Sequence, residues 1–403
     1  MILGLRCPVC GTTVDIATAF AWKCPRATHH DPHHVLHLLE GGPAPELLAS
    51  ENPFVRFGPR LAWWQFARAN GMTAAACEAL TYETAGDFAV TPLVQSPDLS
   101  DLIGGPVWAK VETGNVGGSH KARHLASILL HLRAAEVLGL LPVRPSLAIA
   151  SCGNAAIAAA TLAASVDWPI EVFVPTWMDD AVAEALALLG ARITTCDRRA
   201  DGPPGDPALL RFREAVSAGA IPFSVQGPEN GYCLDGGRTL GWELAEQLAS
   251  VEVGLAAVYA QVGGGAFAAC LSQGLDHRVP LVAVQAEGAA PLHAALQRAN
   301  GADHPARQWA DIMRPWPNPC SLADGIIDDE TYDWIAVRNA IDESGGRSLV
   351  APESAIEQSH ATATAAGFDV SPTGSAGLAG ALADAAQGVG ASPLLVVMSG
   401  VAR

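Results

Sequence analysis

Lys110-Val-Glu-Thr-Gly-Asn-Val-Gly-Gly-Ser-His-Lys121-Ala-Arg123 is the stretch whose reading decides the fold. The apolar run Val107-Trp-Ala-Lys-Val-Glu112 reads as a strand, and a turn rich in Gly and Asn follows. Lys121 then stands where an Ala/Leu-rich helical pattern begins, Ala122 to Ala135. A helix start disfavours a positive charge, and burial would lower the lysine pKa further and free the amine as a nucleophile. An isolated lysine in such a place is more often a solvated surface residue. Its meaning depends on the rest of the chain.

Working outward, the pattern from about residue 146 alternates strand and helix. Ser146 to Ala150 reads as a strand, Ser151-Cys152-Gly153-Asn154 as a turn and Ala155 to Ala164 as a helix. Strands are expected at Ile170–Val174, Ala191–Thr195, Leu255–Val262, Leu281–Gln285 and Leu394–Met398. Helices are expected over 179–189, 236–249, 266–274, 290–299, 353–366 and 375–386, and irregular chain over 200–207 and 300–330. This is the grammar of an α/β protein with buried parallel strands. Its 403 residues allow two open-sheet lobes with a cleft between them. The expected domains are a large one from 46–135 and 225–403, and a small one over 136–224. Trp63, Trp64 and Phe66 read as packing residues.

Residues 1–45 differ in character. Cys7-Pro-Val-Cys10-Gly11 has the form of a zinc knuckle, and Cys24 with His29 or His30 would complete a Cys3His site. The expected ligands are Cys7, Cys10, Cys24 and His29, in a structural zinc ribbon. A degenerate, metal-free ribbon with a histidine-rich loop is the alternative.

Half the residues are hydrophobic and the net charge is −17, from 41 acidic and 24 basic residues. Such a surface repels phosphate backbones and anionic lipid, which argues against nucleic acid and membrane as partners and for a small-molecule substrate. No membrane span or signal peptide is evident, so the nine cysteines are expected in a reducing cytoplasm.

In open α/β sheets, ligands sit beyond the carboxyl ends of the strands. Three further turns there carry polar or glycine signatures. Ser151, Cys152, Gly153 and Asn154 open a helix and suit a carboxylate. Gly263, Gly264, Gly265 and Ala266 lie between a strand and a helix, where consecutive amides can wrap a phosphate. Ser399 closes the last strand and offers a neutral hydroxyl to a ring nitrogen. A nucleophilic lysine, an anion loop, a phosphate loop and a hydroxyl together meet the needs of pyridoxal 5′-phosphate.

At these residues the sequence resembles the pyridoxal-phosphate enzymes of the tryptophan-synthase-β fold type (fold type II). Gly118-Ser119-His120-Lys121-x-Arg123 is similar to the family's Schiff-base segment, and Ser151–Asn154 to its substrate-carboxylate loop. The resemblance implies that Asn154 meets the cofactor 3′-hydroxyl, Gly263–Gly265 the phosphate and Ser399 the pyridine nitrogen. Leu322-Ala-Asp-Gly325 and Pro372-Thr-Gly-Ser-Ala376 are softer echoes. The threonine synthase branch resembles the chain most, through its N-terminal cysteine knuckle and Asp235-Gly-Gly-Arg-Thr-Leu-Gly-Trp-Glu243. That branch has Phe, Asp and Gly where this chain has His120, Ala122 and His124.

The resemblance implies a lyase or synthase acting on a β- or γ-substituted α-amino acid, with O-phosphohomoserine or a related activated compound as the expected substrate. Lys110, Arg123 and Arg238 are candidates for holding a substrate phosphate. A serine/threonine ammonia-lyase or β-replacement enzyme on the same scaffold is the alternative, and a catalytically silent amino-acid-binding paralogue a third. A homodimer is the expected assembly.

Overall fold

The computed structural model describes residues 1–28, 30–198, 206–390 and 392–403. The N-terminal segment forms a small antiparallel sheet from β1 (Ile2–Arg6), β2 (Thr13–Asp15) and β3 (His37–Glu40), with β1 in the middle. Ile2 and Leu5 of β1 are buried and anchor this sheet. Arg6 pairs with His37, so the chain just before β3 lies beside the knuckle that follows β1.

The main strands follow in order: β4 (Leu93–Gln95), β5 (Val107–Val111), β6 (Leu147–Ala150), β7 (Ile170–Pro175), β8 (Arg192–Cys196), β9 (Ile221–Pro222), β10 (Ala257–Gln261), β11 (Leu281–Ala286), β12 (Arg347–Ala351) and β13 (Leu394–Met398). They build a six-stranded sheet of order β12-β11-β10-β13-β5-β4 and a four-stranded sheet of order β8-β7-β6-β9. β10, β11 and β13 are buried along their whole length, as expected of strands covered on both faces.

The sequence expectation of parallel strands holds except at the edge, where β4 runs antiparallel to β5. The connection, residues 96–106, is shorter than the crossover that a parallel pair requires. A helix Trp334–Ser344 and strand β12 fall where no element was expected. β12 is an edge strand with an exposed Arg347 and lacks the apolar run of its neighbours. The irregular reading of 200–207 falls largely on residues outside those described, and a helix begins at Pro207 behind an Asp206 cap.

The helix Lys121–Val137 is almost wholly buried. It shares one hydrophobic core with the four-stranded sheet, the ribbon and Trp63, Trp64 and Phe66. Packing is therefore continuous between the four-stranded sheet, the ribbon and the lysine helix. No helix among the described residues is long and apolar enough to cross a membrane, and all nine cysteines are unpaired.

Candidate active site

The lysine turn lies at the carboxyl end of β5. Gly117 and Gly118 both adopt left-handed backbone, with φ of 65° and 71°. A Cβ on Gly117 would lie 2.8 Å from the Cα of Ala158, so the turn needs glycine for both space and conformation. The His120 amide then donates to the Ser399 carbonyl at 3.0 Å, and the Val401 amide to the Gly118 carbonyl at 3.0 Å. Lys121 follows as the first residue of its helix.

The chain has three lysines. Lys23 pairs with Glu229 at 2.5 Å. Lys110 is fully buried and donates to the Thr91 carbonyl, Glu243 and Gln247. Lys121 makes no ion pair among the described residues. Burial pushes its ammonium below the ordinary lysine value, against the opposing pull of Asp328, Cys233 and Asp333.

The Ser151–Asn154 turn stands half-buried at the start of the helix Asn154–Ser165. The Asn154 amide donates to the Val401 carbonyl at 3.3 Å and accepts from Arg403 Nε at 2.9 Å. Burial raises the Cys152 thiol to about 11, so it stays protonated at neutral pH and is no thiolate nucleophile.

Ser399 is buried beyond β13. Its Oγ accepts from Gln261 Nε2 at 2.6 Å, which leaves its own proton free to donate. Gln261 ends β10, and two residues later Gly263, Gly264 and Gly265 lead into the helix Ala266–Gly274. A Cβ on Gly263 would come within 2.6 Å of Asp328 Oδ2 and 2.9 Å of the Ile326 Cα. Thus the lysine turn, the Asn154 turn and the Ser399 segment bond to one another directly, and Gln261 ties in the glycine loop. The two softer echoes also meet: Thr373 accepts from the Gly325 amide and donates to Asp324.

Sequence reasoning missed two acidic residues here. Desolvation raises Asp328 to about 6 and Asp333 to about 7, and Lys121 opposes both shifts. Asp333 accepts from the Gly227 amide at 3.1 Å, and its Oδ1 has no partner among the described residues. The visible signal was the acidic run Asp328-Asp329-Glu330, set in a stretch without periodicity. Gln261 had a clearer one, a lone polar residue ending an apolar strand.

The basic candidates lie elsewhere. Arg123 is fully buried and forms a two-point contact with Glu112, at 2.8 and 3.0 Å, and a third bond to Glu243 at 3.1 Å. Lys110 shares Glu243, and Arg238 pairs with Asp235 and Glu40. This network fixes β5, the lysine helix and the helix Arg238–Ser250 against each other.

In the ribbon, Cys7, Cys10, Cys24 and His34 bring their ligand atoms within 4.8 Å of one another. His29 lies outside the described residues. His34 takes the fourth place because it precedes β3, whose pairing with β1 carries it to the knuckle. Asp31 reaches His34 Nε2 at 3.2 Å, the usual carboxylate support for a ligating histidine.

The two α/β sheets, with lysine, anion and glycine loops gathered at their carboxyl ends, define a class of cofactor-dependent enzyme fold. Residues 85–400 match the family model described as "Pyridoxal-phosphate dependent enzyme", and the chain belongs to that family. It is 30% identical over 212 residues to a serine dehydratase-like protein of Rattus norvegicus, covering 51% of this chain and 59% of that protein. The chain thus spans about 59% of that relative's length. It is 26% identical over 301 residues to threonine synthase of Mycobacterium leprae (strain TN), covering 72% of this chain and 75% of that one. A solved threonine deaminase from T.th. superposes with a TM-score of 0.64 at 24% identity, over 81% of this chain and 97% of that chain. The fold is therefore fold type II.

The buried network yields a measurable consequence. Burial alone would raise the Glu112 pKa, but Arg123, then Lys110 and Thr91, outweigh it and hold the carboxyl at about 2. Its stabilising contribution is complete above the ordinary glutamate range and is lost as pH falls toward about 2. Glu112→Ala removes the two-point partner of a buried guanidinium, leaving Glu243 to serve both Arg123 and Lys110, and is expected to cost about 3–5 kcal/mol in denaturant unfolding at neutral pH. The deficit should shrink on acidification through that window. A variant that unfolds with the wild type at neutral pH would contradict this.

Proposed function

We propose that the chain removes a β- or γ-substituent from an α-amino acid, with Lys121 holding pyridoxal 5′-phosphate. The observation that carries this reading is Lys121 itself, the one lysine without an ion-pair partner among the described residues, at a helix start beside Ser399 and Asn154. The remaining donors fit the cofactor. Amides of Gly263, Gly265 and Ala266 at a helix start suit a phosphate, the Gly264 amide is held by Asp328, and Asn154 suits the 3′-oxygen. The bound cofactor supplies the electron sink.

The chain's residues do the rest. Amides of Ser151, Cys152, Gly153 and Asn154 hold the substrate carboxylate. Lys121, its pKa lowered by burial, is the base for the α-proton. Ser399 would offer its hydroxyl to the ring nitrogen, and a neutral partner there would favour elimination over transamination.

For the leaving group, charge decides. The cations offered for a substrate phosphate are engaged in buried ion pairs, while Asp328 and Asp333 face Lys121. Desolvation raises both carboxyls toward their neutral forms, which suits protonation of a departing hydroxyl. This supports a small β-hydroxy amino acid and an ammonia-lyase reaction. The longer alignment with threonine synthase, and the ribbon, favour the second reading, O-phosphohomoserine as substrate.

The ribbon is proposed to hold one structural zinc on Cys7, Cys10, Cys24 and His34, since three thiols and an imidazole are a tetrahedral zinc set. Protein purified without chelator should carry one zinc per chain by elemental analysis, and Cys24→Ser should lose it. Wild-type protein without zinc would overturn the assignment.

A substrate panel tests the reaction: serine, threonine, O-acetylserine, O-phosphoserine and O-phosphohomoserine, assayed for ammonia, keto acid and phosphate. Ammonia and keto acid from serine or threonine are expected. Phosphate release with threonine formation from O-phosphohomoserine would establish the second reading instead.

A further inference from the structure

A cavity of about 570 Å³ lies between β3 of the ribbon and the helices Arg238–Ser250, Ala266–Gly274 and Trp334–Ser344. None of Lys121, Ser151–Asn154, Gly263–Ala266 or Ser399 lines it, so it is separate from the site described above. Its size is that of a small-molecule site.

The walls are chemically uneven. Trp242 forms an aromatic plate flanked by two guanidinium groups, Arg238 at 4.8 Å and Arg60 at 5.8 Å from the ring centroid. Arg238 is neutralised by Asp235 and Glu40. Arg60 has no carboxylate partner among the described residues, and its Nε is buried without an acceptor. His37 also lines this wall, with its Nε2 buried and without a partner among the described residues. Burial pushes the His37 imidazole down to about 4, so it is neutral and able to donate. An uncompensated guanidinium on a cavity wall is a seat for a carboxylate. Opposite in charge is the exposed carboxylate Glu343, which also lines the cavity and lies 3.1 Å from His277 Nε2.

We propose that this cavity is a second ligand site, which takes a free α-amino acid as its zwitterion. The carboxylate meets Arg60, the ammonium faces Glu343, and the side chain lies against Trp242 and Leu234. The site also touches the machinery that holds Lys121. Leu234 and Arg238 line the cavity, and the neighbouring Cys233 carbonyl accepts from His124 in the first turn of the lysine helix at 2.8 Å.

Calorimetric titration of the borohydride-reduced holoenzyme with each of the common L-amino acids tests the proposal. Reduction fixes the cofactor, so that no amino acid reacts with it. At least one amino acid should bind saturably, one per chain, and its N-acetyl and methyl-ester derivatives should bind at least about tenfold more weakly, since each lacks one charge. Arg60→Gln should weaken binding by about tenfold or more, the loss of a charged hydrogen-bond partner. The same variant should keep the visible absorbance of the unreduced holoenzyme and its circular dichroism. The proposal fails if no amino acid binds, if the blocked derivatives bind equally, or if Arg60→Gln leaves the affinity unchanged. These readouts are independent of turnover, so a wrong assignment of the reaction would not mask the result.

Discussion

The antiparallel bridge between Ser119 and Gly400 is the constraint on which the candidate site depends. Two backbone bonds form it, His120 amide to Ser399 carbonyl and Val401 amide to Gly118 carbonyl. They satisfy polar groups that the left-handed turn at Gly117 and Gly118 could not pair by itself. The bridge joins segments far apart in sequence and sets Lys121 beside Ser399. Asn154 then completes the join through the Val401 carbonyl.

Electrostatics sort the chain's cations into two groups. Lys110, Arg123 and Arg238 are buried and neutralised by Glu243, Glu112 and Asp235. They hold the strand, the lysine helix and the helix Arg238–Ser250 as one body. Lys121 and Arg403 are the cations left at the site loops without a carboxylate partner among the described residues. Burial shifts the first toward its neutral form, and the second braces Asn154. The carboxyl groups near Lys121 are raised toward neutrality by desolvation, a pattern that recurs where acid and base chemistry is done.

Much of this was legible in the sequence, and the parts that were not share a cause. The lysine turn, the Asn154 turn, the glycine loop and Ser399 all sit where a strand or a helix begins or ends. Glycine and periodicity mark such places locally. Asp328 and Asp333 reach the site through long-range packing of an aperiodic stretch, which no local signal reports. His34 became a ligand candidate through the pairing of β1 with β3, whereas simple spacing pointed to His29 or His30. Arg123 and Lys110 read as substrate contacts because sequence gives charge without burial. The antiparallel β4 followed from connection length, a cue that was present and unused.

The central claim is that Lys121 alone carries the cofactor. With only Lys23, Lys110 and Lys121 in the chain, borohydride reduction of the holoenzyme followed by peptide mapping gives a direct answer. The phosphopyridoxyl mass is predicted on Lys121 in near-stoichiometric amount. Label on Lys23 or Lys110, or on no lysine of a cofactor-saturated protein, would contradict the account.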